Sequence, residues 1–276
     1  MTDGAHRIEE GLRRARAAGR AALIPFLTGG DPDAGTTEAL VRELARQGAD
    51  IVELGIPFSD PLADGPTIQR ASQRALAGGF SLRRALEVTA EIRRATAVPL
   101  VFMSYVNPIL SFGVPGFAAA AAGAGADGVI VPDLPPEEAD ELCGACQRHG
   151  LATIFLVSPT TAPPRISLIC ARSRGYVYYV SLRGVTGVRA ALPGDLAAGI
   201  ARVRAATQLP VAVGFGIATP DHVAAVAQEA DGVIVGSAIV QAIEAHRGRP
   251  DLVERVGALV ATLRAATARA APAGCR

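Results

Sequence analysis

The sequence predicts an α/β fold, a (β/α)8 TIM barrel, on three observations. Eight short β-rich runs alternate with helical patterns of crossover length, and eight parallel strands are the number that closes a barrel. The runs are mostly continuous in Val, Ile and Leu, as in strands buried on both faces. A strand motif also recurs: Ala126-Asp-Gly-Val-Ile-Val and Ala230-Asp-Gly-Val-Ile-Val, with Gly48-Ala-Asp-Ile-Val-Glu as a looser relative. Like sequences at like barrel positions are one reading of this repeat, and chance similarity of short apolar strands is its rival.

In chain order, an extra N-terminal helix is expected around 5–18. Strands follow near 22–27, 50–54, 98–103, 127–131, 151–156, 175–180, 210–214 and 231–235. Between them, Leu82, Ala85, Leu86, Thr89 and Ile92 share one face at helical spacing, and Thr219-Pro220 reads as an N-cap followed by Pro at the first helical position. Leu252, Val256, Leu259, Val260 and Leu263 form the apolar face of a last helix. Short extra helices are expected in the βα loops. No linker or low-complexity boundary divides the chain, so residues 1–276 read as one barrel domain.

Composition narrows the function classes. A net charge of +1 offers no basic field for nucleic acid or an anionic membrane. All 27 basic residues are Arg and none is Lys, which removes every Schiff-base mechanism from this chain. The four cysteines (Cys143, Cys146, Cys170 and Cys275) make no plausible disulfide framework in a large apolar chain, which implies a reducing, cytoplasmic setting. The N-terminal segment lacks the apolar core of a signal peptide, and Asp127 interrupts the Gly/Ala-rich run from Gly113 before it could span a bilayer.

Active sites of such barrels form where strands end and βα loops begin. The second strand ends in Glu53, followed by a Pro- and Asp-rich loop carrying Asp60 and Asp64. A carboxylate costs several kcal/mol to desolvate unless paired, so an acid on a buried strand points to a reaction centre. Gly214-Phe215-Gly216 and Gly236-Ser237 end the last two strands and let backbone N–H groups approach a phosphate, with the Ser237 hydroxyl adding a donor; the alternative is that these glycines only turn tightly. The long segment Leu182–Gly194, with glycines near both ends, reads as a mobile lid, with a disordered surface loop as the alternative. The sixth strand carries Tyr176, Tyr178 and Tyr179, and alternation sends Tyr178 to the opposite face from its two neighbours. Cys143, Cys146 and His149 share a helix but have no second pair, so no metal site is expected, and His6, His222 and His246 read as surface residues.

The string Glu53-Leu-Gly-Ile-Pro-Phe-Ser-Asp-Pro-Leu-Ala-Asp-Gly-Pro-Thr-Ile-Gln69 closely resembles the tryptophan synthase α subunit family. So do Pro25–Pro32, Tyr105–Pro108, Val131–Pro135, Gly184–Gly187, Gly214–Ile217 and Val235–Ala238, in order over roughly residues 5–265. The resemblance implies retro-aldol cleavage of indole-3-glycerol phosphate to indole and glyceraldehyde 3-phosphate. It implies Glu53 as general acid–base, Asp64 as the partner of the indole N–H, and Tyr178 as the active-site tyrosine. Phe26, Ile68, Leu134 and Phe215 would form the indole pocket. Gly187, Gly216, Gly236 and Ser237 would hold the phosphate, and Thr186 would meet Asp64 on lid closure. A pyridoxal-phosphate β subunit is the implied partner in an α2β2 complex, facing Pro57, Asp60, Asn107 and Pro108; the cofactor would belong to that partner. Arg183, before the Gly-Val-Thr-Gly motif, departs from the smaller or less charged residue expected there. A stand-alone lyase releasing free indole and a non-catalytic allosteric subunit remain as other readings.

Overall fold

The structure, a computed structural model, describes residues 3–181 and 196–269. The chain opens with α1 (Gly4–Ala17), whose first turn is capped by the Asp3 carboxylate accepting from the Ala5 N–H at 3.0 Å. Strand β1 (Ala22–Thr28) and α2 (Ala34–Arg46) follow, then β2 (Val52–Gly55) with α3 (Pro66–Ala77) and α4 (Leu82–Ala95). Next come β3 (Leu100–Met103) with α5 (Val106–Phe112) and α6 (Val114–Ala124), and β4 (Gly128–Ile130) with a 3₁₀ turn (Pro136–Glu138) and α7 (Asp140–Arg148). The second half runs β5 (Ala152–Ile154), β6 (Leu156–Val157), α8 (Pro163–Arg172), β7 (Val177–Val180), α9 (Leu196–Arg204), β8 (Val211–Gly214), α10 (Pro220–Glu229) and β9 (Gly232–Val235), ending in α11 (Ser237–His246) and α12 (Leu252–Ala265).

All strand pairs are parallel, in the order β5-β4-β3-β2-β1-β9-β8-β7-β6. The two ends of this sheet are consecutive in the chain and separated by Phe155 alone. The run expected at 151–156 is therefore one bent strand, pairing β4 with its first half and β7 with its second. That bend raises the strand count from eight to nine while bringing the sheet nearly round into a barrel. Several strands begin two residues later than expected. At β3 the cause is plain: Pro99 has no N–H to donate, although its carbonyl accepts from Val52 at 2.9 Å.

Two apolar cores result. Leu23, Leu27, Leu54, Phe102 and Val213 point outward against helix residues such as Leu40, Leu44, Val88, Ile92 and Val260. Ile24, Ile51, Val101, Ile130, Ile154 and Ile234 point inward, and α1 lays Ala5, Ile8, Leu12 and Ala15 across them. The N-terminal helix is thus a plug in the N-terminal mouth of the barrel. It fits because strand residues beneath it are glycine: a Cβ on Gly128 would sit 3.1 Å from Ile8 Cδ1, and one on Gly232 would sit 3.4 Å from Leu12 Cδ2.

The recurring motif has a structural meaning. Asp50, Asp127 and Asp231 each precede a strand, and each accepts from the backbone N–H of a residue at the start of a neighbouring strand: Leu23 at 2.9 Å, Leu100 at 2.8 Å and Val211 at 3.0 Å. Each is also paired with arginine: Arg20 for Asp50, Arg93 and Arg7 for Asp127, Arg204 and Arg269 for Asp231. The repeat is a clasp used three times around the N-terminal rim.

The tyrosines correct one expectation. Tyr176 shares the barrel interior with Tyr178, two positions along, and only Tyr179 faces the outer core. This is what a period of two demands. Among the described residues no single helix is long and apolar enough to cross a membrane; α5 and α6 are apolar together but bent by 96°.

Candidate active site

Glu53 is the second residue of β2, in register with Phe26 of β1 and Val101 of β3, and its side chain turns into the barrel. It is 1% exposed. The Tyr176 hydroxyl donates to Glu53 Oε1 at 2.7 Å, and no cation among the described residues pairs with it. Burial pushes the Glu53 pKa up to about 8, with the Tyr176 hydrogen bond opposing the rise. At neutral pH the carboxyl group therefore carries a proton it can release.

Asp64 sits where the β2–α3 loop turns into α3, and it is also buried. Tyr105 donates its hydroxyl to Asp64 Oδ2 at 3.0 Å while accepting from the Ala63 N–H at 3.0 Å. Gln69 Nε2 donates to the Asp64 carbonyl at 2.8 Å, fixing the loop to the first turn of α3. Burial raises the Asp64 pKa to about 6, and the Tyr105 hydrogen bond offsets part of the rise. The two acids thus straddle neutrality, one mostly protonated and one mostly ionised.

Both line a cavity of about 470 Å³, its mouth included. Its apolar walls are Phe26, Ile68, Met103, Phe215, Ile217 and Ile234, and Tyr178 stands edge-on to Phe215 with ring centroids 5.8 Å apart. The Tyr178 hydroxyl lies over Gly214, where a Cβ would approach it to 2.2 Å, so no other residue fits at that point of β8. Gly216, Gly236 and Ser237 complete the lining. Ser237 is the first residue of α11 and Gly236 its N-cap, which leaves N–H groups of the first turn available to an anion. The cavity thus joins apolar walls, two carboxyl groups and the exposed backbone of a helix start.

Of the residues singled out in the sequence, Glu53, Asp64, Tyr178, Phe26, Ile68, Phe215, Gly216, Gly236 and Ser237 meet in this cavity. Leu134 does not: it is half-buried in a separate groove with Val131, Phe155 and Arg165, because the turn after β4 carries it away from the barrel axis. Thr186 and Gly187, with Arg183, lie outside the described residues. Pro57 is buried within the chain, Asp60 and Asn107 are exposed, and Pro108 is half-buried. Leu62 and Leu110, on the same two segments, are large apolar side chains left 80% and 56% exposed. Sequence reasoning missed Tyr176, Tyr105 and Met103. Tyr176 was signalled by its two-residue spacing from Tyr178, and Tyr105 stood unassigned inside a motif already noted. Among the described residues no three His, Cys, Asp or Glu side chains cluster as a metal site.

A family model described as the tryptophan synthase alpha chain matches residues 12–268. The chain belongs to the tryptophan synthase alpha chain family. It is 50% identical over 258 residues to the tryptophan synthase alpha chain of Geobacter sp. (strain M21), covering 94% of this chain and 96% of that one. It is 52% identical over 254 residues to the alpha chain of Chromobacterium violaceum, covering 91% and 96%. Among solved structures, tryptophan synthase from Mycobacterium tuberculosis superimposes with a TM-score of 0.88 at 41% identity, over 95% of this chain and 98% of that one. Tryptophan synthase subunit alpha from Legionella pneumophila gives 0.87 at 42% identity, over 95% and 98%. The chain is accordingly a lyase of tryptophan biosynthesis, cleaving indole-3-glycerol phosphate to indole and glyceraldehyde 3-phosphate. In this family the alpha chain lacks pyridoxal phosphate, which belongs to the beta subunit; a chain without a single Lys is consistent with that division. Solved relatives include tryptophan synthase from M. tuberculosis in an aminoacrylate-bound form.

Proposed function

We propose that Glu53 is the general acid–base of the cleavage, with Asp64 and Tyr178 completing the catalytic set. The carrying observation is a fully buried carboxyl group that accepts from a neutral hydroxyl, that of Tyr176. A carbon–carbon bond to an indole ring breaks only if the ring leaves as something better than a carbanion. The Glu53 carboxyl donates its proton to the ring carbon bearing the side chain, which places positive charge on the ring nitrogen. Glu53, now ionised, draws the proton from the adjacent side-chain hydroxyl as the carbon–carbon bond breaks. The bonding pair returns to the ring, giving neutral indole, and the oxygen becomes the aldehyde of glyceraldehyde 3-phosphate. Asp64, ionised at neutral pH, accepts from the ring N–H and stabilises the transient positive charge.

The apolar walls contributed by Phe26, Ile68 and Phe215 suit the indole ring, whereas Gly216, Gly236 and Ser237 suit the phosphate. Gly187 is assigned to the same phosphate site and Thr186 to Asp64 on closure, both on family likeness. The chain acts as one barrel domain in the cytoplasm, and the free cysteines Cys143, Cys146 and Cys170 agree with a reducing setting. Its partner is a β subunit in an α2β2 complex, docked over Pro57, Asp60, Asn107 and Pro108; the exposed Leu62 and Leu110 on the same segments favour an interface there.

An indole-release assay on indole-3-glycerol phosphate, run with and without a β subunit, tests this reading. Turnover that rises with the β subunit supports it; equal and rapid release of free indole in both arms favours a stand-alone lyase. No turnover in either arm refutes the catalytic assignment.

A further inference from the structure

Phe215 has a backbone φ of +73°, the only non-glycine positive φ among the described residues. A bulky side chain in that region is strained, and such strain persists only where neighbouring groups impose it. The group tied to this turn is Ser181, the residue following β7, which is 2% exposed. Its N–H donates to the Gly214 carbonyl at 3.0 Å, and its hydroxyl reaches the same carbonyl at 2.9 Å as well as the Phe215 carbonyl. A serine hydroxyl has one proton to give, so it is shared across two successive carbonyls and ties both to the end of β7.

The consequence falls on the next residue. With the Gly214 and Phe215 carbonyls drawn toward Ser181, the Phe215 ring is turned against Tyr178 and the chain enters Gly216, also at positive φ, on the cavity wall. We propose that Ser181 is a positioning residue: it holds the strained Gly214–Phe215 turn so that Gly216 presents its backbone to the substrate phosphate. This deepens the phosphate-site reading above and rests on it.

Ser181→Ala removes only an oxygen from a buried position, so the fold is expected to survive. The measurements are KM and kcat for indole-3-glycerol phosphate, equilibrium binding of glycerol 3-phosphate, inhibition by indole, and thermal midpoint. Loss of one hydrogen bond of this kind corresponds to about a tenfold weakening. The expected result is about a tenfold rise in KM and a matching loss of glycerol 3-phosphate affinity, with kcat little changed and indole inhibition weakened to a smaller degree through Phe215. Ser181→Thr, which keeps the hydroxyl, should recover most of the phosphate affinity. Unchanged glycerol 3-phosphate binding in a folded Ser181→Ala protein overturns the proposal. So does equal weakening toward glycerol 3-phosphate and indole, which would mean general loosening of the cavity. If Ser181→Ala unfolds, the readout passes to Ser181→Thr, where normal phosphate affinity supports the proposal and a loss despite a retained hydroxyl overturns it. Wild-type protein that turns over substrate without binding glycerol 3-phosphate would instead defeat the phosphate-site reading itself.

Discussion

The two mouths of this barrel treat buried acids in opposite ways. At the N-terminal rim, Asp50, Asp127 and Asp231 each receive a backbone N–H and at least one arginine, so their charge is matched where it lies. At the C-terminal mouth, Glu53 and Asp64 are buried, as only Asp127 is at the rim, yet among the described residues their side chains accept from tyrosine hydroxyls alone. A cation beside a carboxylate lowers its pKa, although at Asp127 burial outweighs Arg93 and Arg7 and leaves the pKa raised. A neutral hydroxyl in a dry pocket leaves its protonation free to change near neutral pH. The clasped acids hold strands together; the unclasped acids are free to move protons.

The sharpest way to break this contrast is to neutralise one acid at each mouth. Glu53→Gln is expected to lower the rate of indole formation about a thousandfold or more while the protein stays folded; appreciable residual turnover would remove Glu53 from its role. Asp64→Asn should reduce turnover about a hundredfold with a smaller effect on substrate binding, and an unaltered rate would undo its assignment. Asp127→Ala acts in the opposite direction. It leaves Arg93 and Arg7 without their carboxylate and should cost about 3–5 kcal/mol of stability in denaturant unfolding, with a cavity otherwise intact. A destabilisation no larger than that of a surface substitution would mean the clasp is ornamental.

Stability against pH sharpens the same contrast. The Glu53 pKa is raised in the folded state from 4.5 to about 8, so the folded chain keeps a proton that the unfolded chain loses. Its contribution is fully present below about pH 4.5 and is lost as pH rises through about 8. Wild type should therefore lose thermal stability relative to Glu53→Gln between those limits, and parallel curves would contradict the assignment. The smallest effect is expected from Tyr176→Phe. Removing the one hydrogen bond that favours ionised Glu53 should move the basic limb of the kcat/KM profile to higher pH and leave the acidic limb, set by Asp64 near 6, where it is.

Much of the barrel was legible in the sequence because parallel strands write themselves as apolar runs, and Glu53 stood out as an acid within one. The Ala-Asp-Gly repeat marked equivalent positions, but its purpose was hidden. Asp50 and Asp127 each reach a backbone N–H 27 residues earlier, a pairing that exists only once the strands align in the folded sheet. Tyr176 was hidden for the same reason, its hydroxyl meeting an acid 123 residues away. The break at Phe155 was also invisible, since a bent strand and a straight one share the same composition. Leu134 shows the reverse failure: a motif position does not say which way a turn carries its side chain.

Glu53 is buried without a matching charge among the described residues and so holds its proton at neutral pH. Infrared titration of its carboxyl band, with Glu53→Gln as the blank, measures that directly. A midpoint near 8 is expected; a midpoint near 4.5, the value of an ordinary glutamate, would rule out a retained proton.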